Sequence, residues 1–292
     1  MKFLLFILCA LAYCFEDNDL AVTQEYVDYL RRRVNWEVED YETNIFRGWT
    51  IGEIKSILGL KDMNTYIEGV PDVEEVKSLP SSVSWAGNNC DHEVRNQGTC
   101  GSCWAFAYAN MLSDRCCIYA SDHGWLSVQE LVSCSKEDFG CYGGGLTGSI
   151  NYIRRNGGLV PESCYPYLGA NAQCPNICVN GRDWKTSHVC KCIKVQNCYR
   201  THGIKTCLLS GPVPLGFQVC QSFINYKKGI YKCDCVKYIG GHATLALGYS
   251  DEPECNYYVK NSWGTEWGSN GHYNMACETC ELTGGAVCTD IK

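Results

Sequence analysis

Two cysteines separated by two residues, Cys100 and Cys103, are candidates for nucleophilic, redox or metal-binding chemistry. A C-x-x-C pair alone is compatible with a redox dithiol, half of a zinc site or two halves of separate disulfides. Cys103 also opens a predicted helix that runs to about Arg115, with Ser102 as its N-cap. The unpaired N–H groups and the dipole at a helix N-terminus favour a thiolate, which is the nucleophile that acyl transfer requires.

A thiolate nucleophile needs a proton acceptor, and His242 is the best placed of the six histidines. It follows Gly240 and Gly241 and opens a strand-like run to Tyr249. The two glycines leave room for a substrate backbone beside the imidazole. A histidine that only fills space in the core is the alternative interpretation.

Asn261 lies in a block of aromatic and polar residues, 257–268, that also contains Trp263 and Trp267. An asparagine side chain can accept a hydrogen bond from an imidazole N–H and so hold one tautomer, as the third member of a Cys-His-Asn set. The two tryptophans would shield that hydrogen bond from water. Considered alone, the block could also be a packed aromatic turn. Together, the three blocks follow the chain order Cys, His, Asn.

These blocks resemble the active-site motifs of the papain-family (C1) cysteine proteases. The resemblance covers nearly all of residues 79–292 and rests on four segments: Gln97-Gly-Thr-Cys-Gly-Ser-Cys-Trp, Cys141-Tyr-Gly-Gly, Gly241-His-Ala and Lys260-Asn-Ser-Trp-Gly. It implies an α+β, papain-like two-lobe fold with an active-site cleft between the lobes. The helical lobe, at roughly 90–165, would contain a central helix, and a β-barrel-like lobe would span roughly 205–288. The resemblance also implies peptide-bond hydrolysis without a cofactor or a metal.

The resemblance implies a role for each candidate catalytic residue. Cys103 would attack the scissile carbonyl, His242 would take and return the proton, and Asn261 would orient the imidazole. The side chain of Gln97 and the backbone N–H of Cys103 would form the oxyanion hole. Trp263 would cover Asn261 and edge the primed side of the cleft. By analogy with papain-like enzymes, the thiol and the imidazole are expected to form an ion pair.

Further residues are expected to bind the substrate. Gly143 and Gly144 would pair with its extended backbone. The predicted S2 pocket is roomy and apolar, and would be lined by Leu146, Gly216, Gly241 and Gly285. Such a pocket predicts a preference for bulky apolar P2 residues over arginine.

The cysteine content indicates an oxidising compartment, because 23 cysteines would be a liability in a reducing cytosol. Twenty-one of them lie from Cys90 onward, an odd number that predicts one free thiol beside a disulfide framework. If Cys103 is that thiol, 20 remain. The family resemblance pairs Cys100 with Cys141 and Cys90 with Cys117, and leaves the other pairings open.

A dense local cluster of cysteines has two interpretations, a zinc site or disulfides; it consists of Cys174, Cys178, Cys190, Cys192, Cys198 and Cys207. No histidine pair with zinc-site spacing accompanies them, and the compartment is expected to be oxidising. Disulfides are therefore favoured.

The N-terminal part of the chain differs from the rest. Its first 12 residues are typical of a signal peptide, with Lys2 before a short apolar run; a buried N-terminal strand is the alternative. Residues 13–78 are predicted to be an inhibitory propeptide and 79–292 the mature peptidase domain. Residues 1–78 carry 8 basic and 15 acidic side chains, a net charge of −7, whereas the remainder carries 17 of each sign. An acidic extension without a regulatory role is the alternative.

Periodicity and capping patterns predict helices early in the chain and strands late in it. The predicted helices span 24–35, 50–58, 103–115, 127–133 and 146–157, and the predicted strands span 213–219, 242–249 and 257–260. Two of the helices are expected to begin with capping boxes, formed by Thr50 with Glu53 and by Ser127 with Glu130. This order of elements is typical of an α+β body.

Within the family, the sequence resembles the cathepsin B-like branch. The resemblance lies in Ser113-Asp-Arg115, in a glycine before the predicted catalytic histidine and in a short prosegment that contains Asn44-Ile-Phe-Arg-Gly-Trp-Thr. The sequence lacks the adjacent histidine pair of the cathepsin B occluding loop, since His188 and His202 stand apart. An open cleft and endopeptidase action are therefore predicted.

The expected partners are protein and peptide substrates, the chain's own propeptide and cystatin-type inhibitors, with the enzyme as a monomer. The net charge of −7 argues against nucleic-acid binding, and no apolar stretch is long enough for a transmembrane helix, so no stable membrane association is expected. The signal peptide and the disulfides indicate the secretory pathway, with a lysosome-like vacuole or the extracellular space as destination.

Two rival functions come from other classes of protein. One is a thiol–disulfide oxidoreductase that cycles Cys100 and Cys103, and the other is a catalytically inactive, cysteine-rich binding protein. Neither explains the joint presence of Gln97, Cys103, His242 and Asn261.

Overall fold

The computed structural model describes residues 16–74, 76–235 and 238–292, and the predicted signal peptide, residues 1–12, lies outside these ranges. Within them the chain forms six α-helices: α1 (Gln24–Arg31), α2 (Ile51–Ile57), α3 (Cys103–Tyr119), α4 (Val128–Cys134), α5 (Leu146–Asn156) and α6 (Arg200–Leu208). No helix in this part of the chain is long and apolar enough to cross a membrane.

The strands form one large sheet and two small ones. In chain order they are β1 (Glu37–Val38), β2 (Leu60–Asp62), β3 (Ser82–Ser84), β4 (Gly144–Gly145), β5 (Cys192–Gln196), β6 (Val213–Val219), β7 (Tyr226–Lys228), β8 (Ile230–Tyr231), β9 (Gly240–Ser250), β10 (Asn256–Lys260), β11 (His272–Ala276), β12 (Thr283–Gly284) and β13 (Val287–Ile291). The large sheet has the order β12-β6-β9-β10-β11-β8, joined by β2 and β3 through β9 and by β4 through β2. The α+β class is confirmed.

Helix α3 lies at the centre of the core. Its residues are buried without a gap from Cys103 to Cys116, as expected for a helix enclosed by protein on all sides. It packs against α4 and α5 and also against β6, β9 and β13. Tertiary packing therefore fixes where its first residue points.

Strand β9 connects the core to the site. It pairs antiparallel with β6, where His242 lies opposite Phe217, and antiparallel with β10, where Leu245 lies opposite Lys260. Asn261 follows the last residue of β10 directly. This register places the start of β9 beside the end of β10, so His242 and Asn261 lie at the same end of the two strands.

Side-chain caps explain where several helices begin and end. Thr50 and Glu53 form both hydrogen bonds of the predicted capping box on α2. Ser127 accepts the N–H of Glu130 at 3.0 Å at the start of α4. The carboxylate of Glu130 does not return that bond, because it accepts the N–H of Val160 at 2.7 Å instead, so the second box is half formed.

The predicted end of the first helix is wrong. Helix α1 ends at Arg31 and not at Asn35. The chain leaves the helix because Trp36 packs into the body, with its ring centroid 5.8 Å from Tyr226 and 5.4 Å from Tyr231. Tertiary contacts have overridden local propensity here.

Two expectations for the central helix also need correction. Ser102 stands at its N-cap position, but its side chain makes no capping hydrogen bond. Its hydroxyl lies 2.6 Å from the hydroxyl of Tyr167, a neighbour that local sequence does not reveal. The helix continues to Tyr119, one turn beyond the predicted end at Arg115.

The N-terminal segment, residues 16–74, lies against the rest of the chain. Strand β1 pairs antiparallel with β7, and β2 pairs in parallel with β4 and antiparallel with β9. The apolar side chains of the segment belong to the same core cluster as those of the body. The segment is therefore part of one continuous hydrophobic core.

Ten disulfides join cysteines within the described residues: Cys90–Cys117, Cys100–Cys141, Cys116–Cys190, Cys134–Cys174, Cys164–Cys178, Cys192–Cys288, Cys198–Cys207, Cys220–Cys235, Cys233–Cys280 and Cys255–Cys277. Both pairs that the resemblance implies are present. All six cysteines of the dense cluster are in disulfides, so their thiolates are not offered to zinc. Cys103 is the free cysteine of the described part of the chain.

Candidate active site

Cys103, the first residue of α3, is fully buried. Its thiol lies against the backbone of Gly59 and Leu60 from the N-terminal segment and of Ala243 from β9. Burial raises the pKa of the Cys103 thiol to about 11, and the nearby N–H groups of Ala243 and Gly59 oppose that rise without cancelling it. At neutral pH the covered thiol is therefore protonated.

His242 is held in one orientation by Asn261. The Nε2 atom of His242 lies 2.8 Å from the Oδ1 atom of Asn261, and this oxygen also accepts the N–H of Ser262 at 2.8 Å. An acceptor oxygen requires that Nε2 carries the imidazole proton. The other nitrogen, Nδ1, is buried and has no hydrogen-bond partner among the described residues. Its lone pair is free to accept a proton, as a general base requires.

Aromatic rings surround the imidazole. The ring of Trp263 stacks on His242 with centroids 4.6 Å apart, and Phe217 meets it edge-on at 5.7 Å. Phe46 of the N-terminal segment packs edge-on against Trp263, with ring centroids 5.1 Å apart. Asn261 is only 1% exposed, so the hydrogen bond to His242 is shielded from water.

The covered site does not support the ion pair expected between the thiol and the imidazole. Burial lowers the pKa of His242 to about 4, although the hydrogen bond to Asn261 opposes this shift. Since the pKa of Cys103 is raised, both groups are neutral near pH 7. The expectation is wrong for this form of the chain, because the N-terminal segment excludes the water that would stabilise two charges.

The side chain of Gln97 is fixed from both ends. Its Oε1 atom accepts the hydroxyl of Ser262 at 2.8 Å, which orients the amide. Its Nε2 atom donates to the carbonyl of Cys100 at 2.8 Å and to the carbonyl of Ile57 at 2.9 Å. The predicted oxyanion-hole donor therefore already holds a carbonyl oxygen of the N-terminal segment.

The glycines predicted to bind a substrate backbone bind the N-terminal segment. The N–H of Gly144 donates to the carbonyl of Gly59 at 2.9 Å. A Cβ atom at Gly143 would lie 2.5 Å from the same oxygen, and one at Gly241 would lie 2.5 Å from the carbonyl of Leu60. Because these distances exclude a side chain, glycine is required for the backbones to approach this closely.

The side chain of Leu60 fills the pocket predicted as S2. A Cβ atom at Gly216 would lie 2.8 Å from Cδ2 of Leu60 and 3.5 Å from Cδ1 of Leu146. One at Gly285 would lie 3.3 Å from the same Leu146 atom and 2.8 Å from the hydroxyl of Tyr108. That hydroxyl donates its proton to the carbonyl of Ala286 and carries no charge. The other atoms in these contacts are carbon atoms, so the surroundings of Leu60 are mainly apolar.

The sequence did not reveal which part of the N-terminal segment enters the site. Ile57, Gly59 and Leu60 come from the end of α2 and the start of β2, and only Gly59 had a local signal, as the predicted helix stop. Asn197 was also missed, because the residue to which its side chain is hydrogen-bonded, Ile67, lies 130 positions away. Contacts at such separations leave no periodic pattern in the sequence.

The disulfide pairing excludes all three alternatives for the C-x-x-C motif, because Cys100 is in a disulfide and offers no thiolate to zinc, while Cys103 is free and is not half of a second disulfide. Cys100 is bonded to Cys141, so Cys100 and Cys103 are not partners in a cycling dithiol. One group in the described residues brings Cys116, His123 and Cys190 close enough for a metal, but its two cysteines form a disulfide with each other.

A thiol at a helix N-terminus, a base held by an asparagine and a fixed amide donor beside them together define a site for cysteine-based acyl transfer. The family model described as "Papain family cysteine protease" matches residues 79–289, and the chain belongs to this family.

Individual relatives agree with this assignment. The chain is 33% identical over 257 residues to "Pro-cathepsin H" of Medicago truncatula, which covers 84% of this chain and 71% of the relative. It is also 33% identical to "Cathepsin B-like CP3" of Giardia intestinalis, over 66% of this chain and 67% of the relative. The fold is similar to that of "proCathepsin B S9 from Trypanosoma congolense", with a TM-score of 0.76, 22% identity and coverage of 92% and 99% of the two chains. The papain-like fold is confirmed.

Proposed function

We propose that the protein is the zymogen of a cathepsin B-like cysteine endopeptidase. The observation that carries the proposal is a pair of hydrogen bonds, from the amide of Gln97 to the carbonyl of Ile57 and from the N–H of Gly144 to the carbonyl of Gly59. A peptide backbone thus lies across the candidate catalytic residues, where a substrate would bind, and covers them.

The proposal includes a division of the chain into three parts. Residues 1–12 are the signal peptide, 13–78 the inhibitory propeptide and 79–292 the mature peptidase domain. Two observations support the second boundary: the family match begins at residue 79, and all ten disulfides of the described residues lie beyond it, starting with Cys90. Removal of the propeptide would break no disulfide of the described residues.

Catalysis begins once the cleft is uncovered. The Sγ atom of Cys103 attacks the carbonyl carbon of the scissile bond, while Nδ1 of His242 takes the thiol proton. The carbonyl oxygen becomes an oxyanion and binds the Nε2–H of Gln97, in place of the Ile57 carbonyl. His242 then gives its proton to the departing amine, which leaves a thioester on Cys103. Water activated by the same imidazole hydrolyses that thioester and frees the thiol.

Asn261 acts through His242. Its Oδ1 atom keeps the imidazole proton on Nε2, so that Nδ1 remains the acceptor. The stacked ring of Trp263 restricts rotation of the imidazole and limits access of water to this hydrogen bond.

Endopeptidase action is supported by the positions of the histidines. A dipeptidyl carboxypeptidase of the cathepsin B type needs cationic groups in the cleft for the substrate's terminal carboxylate. Here Nε2 of His188 lies 2.7 Å from a carboxylate oxygen of Glu130, and Nδ1 lies 3.1 Å from the carbonyl of Trp184. His188 is thus engaged inside the helical part of the body. Relatives of equal identity bear cathepsin H and cathepsin B-like names, so the branch assignment rests on the short prosegment and on the motifs of this chain.

The occupant of the S2 pocket supports the apolar P2 preference. Leu60 is 4% exposed and is enclosed by Gly216 and Leu146, and no charged side chain contributes to the contacts that define this pocket in the described residues. A guanidinium placed there would lose its hydration without gaining a carboxylate.

The ten disulfides in the described residues and the signal-peptide pattern support passage through the secretory pathway to a lysosome-like vacuole or the extracellular space. The proposed partners are protein and peptide substrates and cystatin-type inhibitors, and the mature enzyme is proposed to act as a monomer.

The proposed function is tested with acid-activated protein, a fluorogenic peptide and the epoxide E-64. We expect hydrolysis that E-64 abolishes, with one adduct mapped to Cys103 by mass spectrometry. Folded protein, freed of residues 13–78, that neither hydrolyses the peptide nor accepts the epoxide would disprove the proposal. A pair of long peptides with free and amidated C-termini then separates the two activities: an endopeptidase cleaves both at similar rates, whereas a dipeptidyl carboxypeptidase needs the free carboxylate.

A further inference from the structure

Asn197 binds a stretch of the N-terminal segment with both its side chain and its backbone. Its Oδ1 atom accepts the N–H of Ile67 at 3.1 Å, and its Nδ2 atom donates to the carbonyls of Ile67 and Val70 at 3.0 and 2.9 Å. Its own N–H donates to the carbonyl of Pro71 at 2.9 Å, and its carbonyl accepts the N–H of Val73 at 3.1 Å. One residue thus makes five hydrogen bonds to four residues of the stretch 67–73.

Every partner atom on the segment is a main-chain atom. The acidic side chains of Glu68, Asp72 and Glu74 are exposed and contribute nothing to these five bonds. Both donors and the acceptor of the Asn197 carboxamide are in use, and the residue is 1% exposed. The stretch is a turn, in which the N–H of Val70 donates to the carbonyl of Ile67 at 3.2 Å and Gly69 has a positive φ of 76°. Recognition here therefore depends on the main chain of a turn that favours glycine, and an extended polypeptide would not present the same atoms.

The Asn197 contacts continue a path that starts in the catalytic cleft. Thr147 donates to the carbonyl of Asn64 at 3.3 Å. The hydroxyl of Thr65, which is 2% exposed, lies 2.7 Å from the hydroxyl of Thr283 and 2.7 Å from the carbonyl of Gly284. The chain therefore passes from the S2 pocket to Asn197 with polar contacts to the body on the way.

The site is held rigidly by its surroundings. Asn197 follows β5, which pairs with β13, and precedes Cys198, which is bonded to Cys207. A Cβ atom at Gly284 would lie 2.2 Å from the carbonyl of Cys198, so the two backbones are in close contact. These constraints come from the body alone, and they keep Asn197 in place when the N-terminal segment leaves. Its three side-chain groups then lose their partners, which is costly for a buried amide unless another ligand replaces them.

We propose that Asn197, with Thr283 and Gly284, forms a second binding site for the main chain of the N-terminal segment, separate from the catalytic glycines. In the intact chain it holds residues 65–73. In the matured enzyme it takes the same turn of the released prosegment. The inference rests on the proposed function for its second part, whereas its first part concerns the intact chain alone.

The first experiment uses the full chain with Cys103→Ala, so that no self-processing occurs. Hydrogen exchange is compared between this protein, its Asn197→Ala variant and its Asn197→Asp variant, which puts acceptors in place of the two donors. A matched control is Asn89→Asp, at an exposed position. Both Asn197 variants should exchange residues 67–73 about 10- to 100-fold faster, as the loss of two or three hydrogen bonds implies. Unchanged exchange there, with α3 equally protected in all variants, would overturn the proposal.

The second experiment uses matured protein and a synthetic peptide of residues 64–74, which lacks the part that enters the catalytic cleft. The labelled peptide should bind, and Asn197→Ala should weaken its binding at least about tenfold. For hydrolysis, the ratio of kcat/KM for a denatured protein to kcat/KM for a short fluorogenic peptide should stay the same in Asn197→Ala, because an extended substrate does not form the turn. Equal peptide binding by the matured enzyme and its Asn197→Ala variant would overturn the proposed role in the matured enzyme, and a lower ratio would overturn its restriction to the prosegment. Absence of all hydrolysis refutes the proposed function, while the exchange and binding results still decide this one.

Discussion

The side-chain amide of Gln97 donates a hydrogen bond of 2.9 Å to the carbonyl oxygen of Ile57, 40 positions earlier in the chain. Because Ser262 fixes the opposite end of the amide, the donor cannot turn away from the N-terminal segment. The group proposed to stabilise a charged intermediate is therefore engaged by a neutral carbonyl. Turnover requires that this bond be broken first, and the predictions below follow from how the segment is held and how it leaves.

Gly59→Ala should release the segment from the cleft. A Cβ atom at this position would lie 1.8 Å from the carbonyl oxygen of Gly101, a contact that backbone atoms cannot relieve locally. We expect the full-length variant to hydrolyse a short peptide at neutral pH at least about tenfold faster than the unaltered chain. The matched control is Gly181→Ala, at an exposed position of the body that also has a positive φ but where a Cβ atom would have no neighbour within 4 Å. Equal activity of the two variants would contradict the steric argument.

Acid should open the cleft through His242. Burial holds its pKa at about 4, below the ordinary value of 6.5, and the rings of Trp263 and Phe217 and the amide of Asn261 that face it carry no charge. The open state binds this proton more readily, so the covered state is fully favoured above about pH 6.5. The free energy that favours the covered state over the open state decreases by up to about 1.4 kcal/mol per pH unit as the pH falls towards about 4.

The opening can be followed by modification of Cys103 with 2,2′-dithiodipyridine, which reacts with thiols at low pH, measured as an initial rate before any processing. We expect the rate in the full-length chain to increase between pH 6.5 and 4, the interval set by the pKa of His242. A rate that stays constant over this interval would show that protonation of His242 is not coupled to opening.

Protonation of Glu39 should also favour opening of the cleft, at a lower pH than protonation of His242. Burial raises its pKa, but hydrogen bonds from Lys227 and Thr43 outweigh burial, so the net pKa lies below the ordinary 4.5. The pair of Glu39 with Lys227, at 2.8 Å, joins the N-terminal segment to the body. Its contribution is complete above about pH 4.5 and is lost below it. In Glu39→Gln, the rate of Cys103 modification below pH 4.5 should lose this component, while the rise attributed to His242 persists.

Asn261→Ala should lower kcat more than it changes KM. The substitution leaves Nε2 of His242 without its acceptor, and the imidazole loses its fixed tautomer. We expect kcat to fall at least about 100-fold in matured enzyme, less than the roughly 10⁴-fold lost with the charged orienting residue of serine-protease triads, because asparagine carries no charge. Asn274→Ala, on β11 and partly exposed, is a suitable control for expression and folding. A loss confined to KM would place Asn261 in substrate binding instead.

Matched peptides that differ only at P2 should show the selectivity of the pocket that Leu60 fills. We expect kcat/KM for P2 leucine to exceed that for P2 arginine about tenfold or more, because the walls near Gly216 and Leu146 offer no counter-charge. A clear preference for arginine would refute this assignment.

Arg115→Lys should destabilise the fold. The guanidinium of Arg115 is fully buried and donates to the carbonyls of Cys207, Gly211, Pro212 and Cys288. An ammonium group has three donors in a different geometry and would leave at least one buried carbonyl unpaired. We expect Tm to fall by about 5–10 °C, as for a loss of about 3 kcal/mol. Arg154→Lys, at an exposed position on α5, should change Tm by less than about 1 °C.

The parts of the fold that depend on neighbouring residues could be predicted from the sequence. The capping box of Thr50 and Glu53, the stop of α5 at Gly157 and the strand at 213–219 all carry local signals. The candidate site residues could be located because each lies in a compact motif. Their mutual placement could not, since it depends on the register between β9 and β10.

What the sequence did not show depends on long-range contacts. The bond between Asn197 and Ile67 and the disulfide between Cys192 and Cys288 join positions 130 and 96 residues apart. Ser102 illustrates the same limit at a helix cap, because its hydroxyl meets Tyr167, 65 positions away, and not the first turn of its own helix. The state of the thiol was also beyond sequence reasoning, since burial by another part of the chain sets its pKa.

The N-terminal segment and the cleft that it covers belong to one polypeptide, with Val73 still in contact with Asn197 shortly before the family domain begins at Leu79. Before cleavage, the local concentration of the segment at the cleft is set by this connection and not by how much protein is present. A single cut near Leu79 turns closure from a first-order into a second-order process. Dilution then shifts the equilibrium towards open enzyme, so a crowded vesicle would retain partial inhibition after the cut, and release into a larger volume would complete the activation.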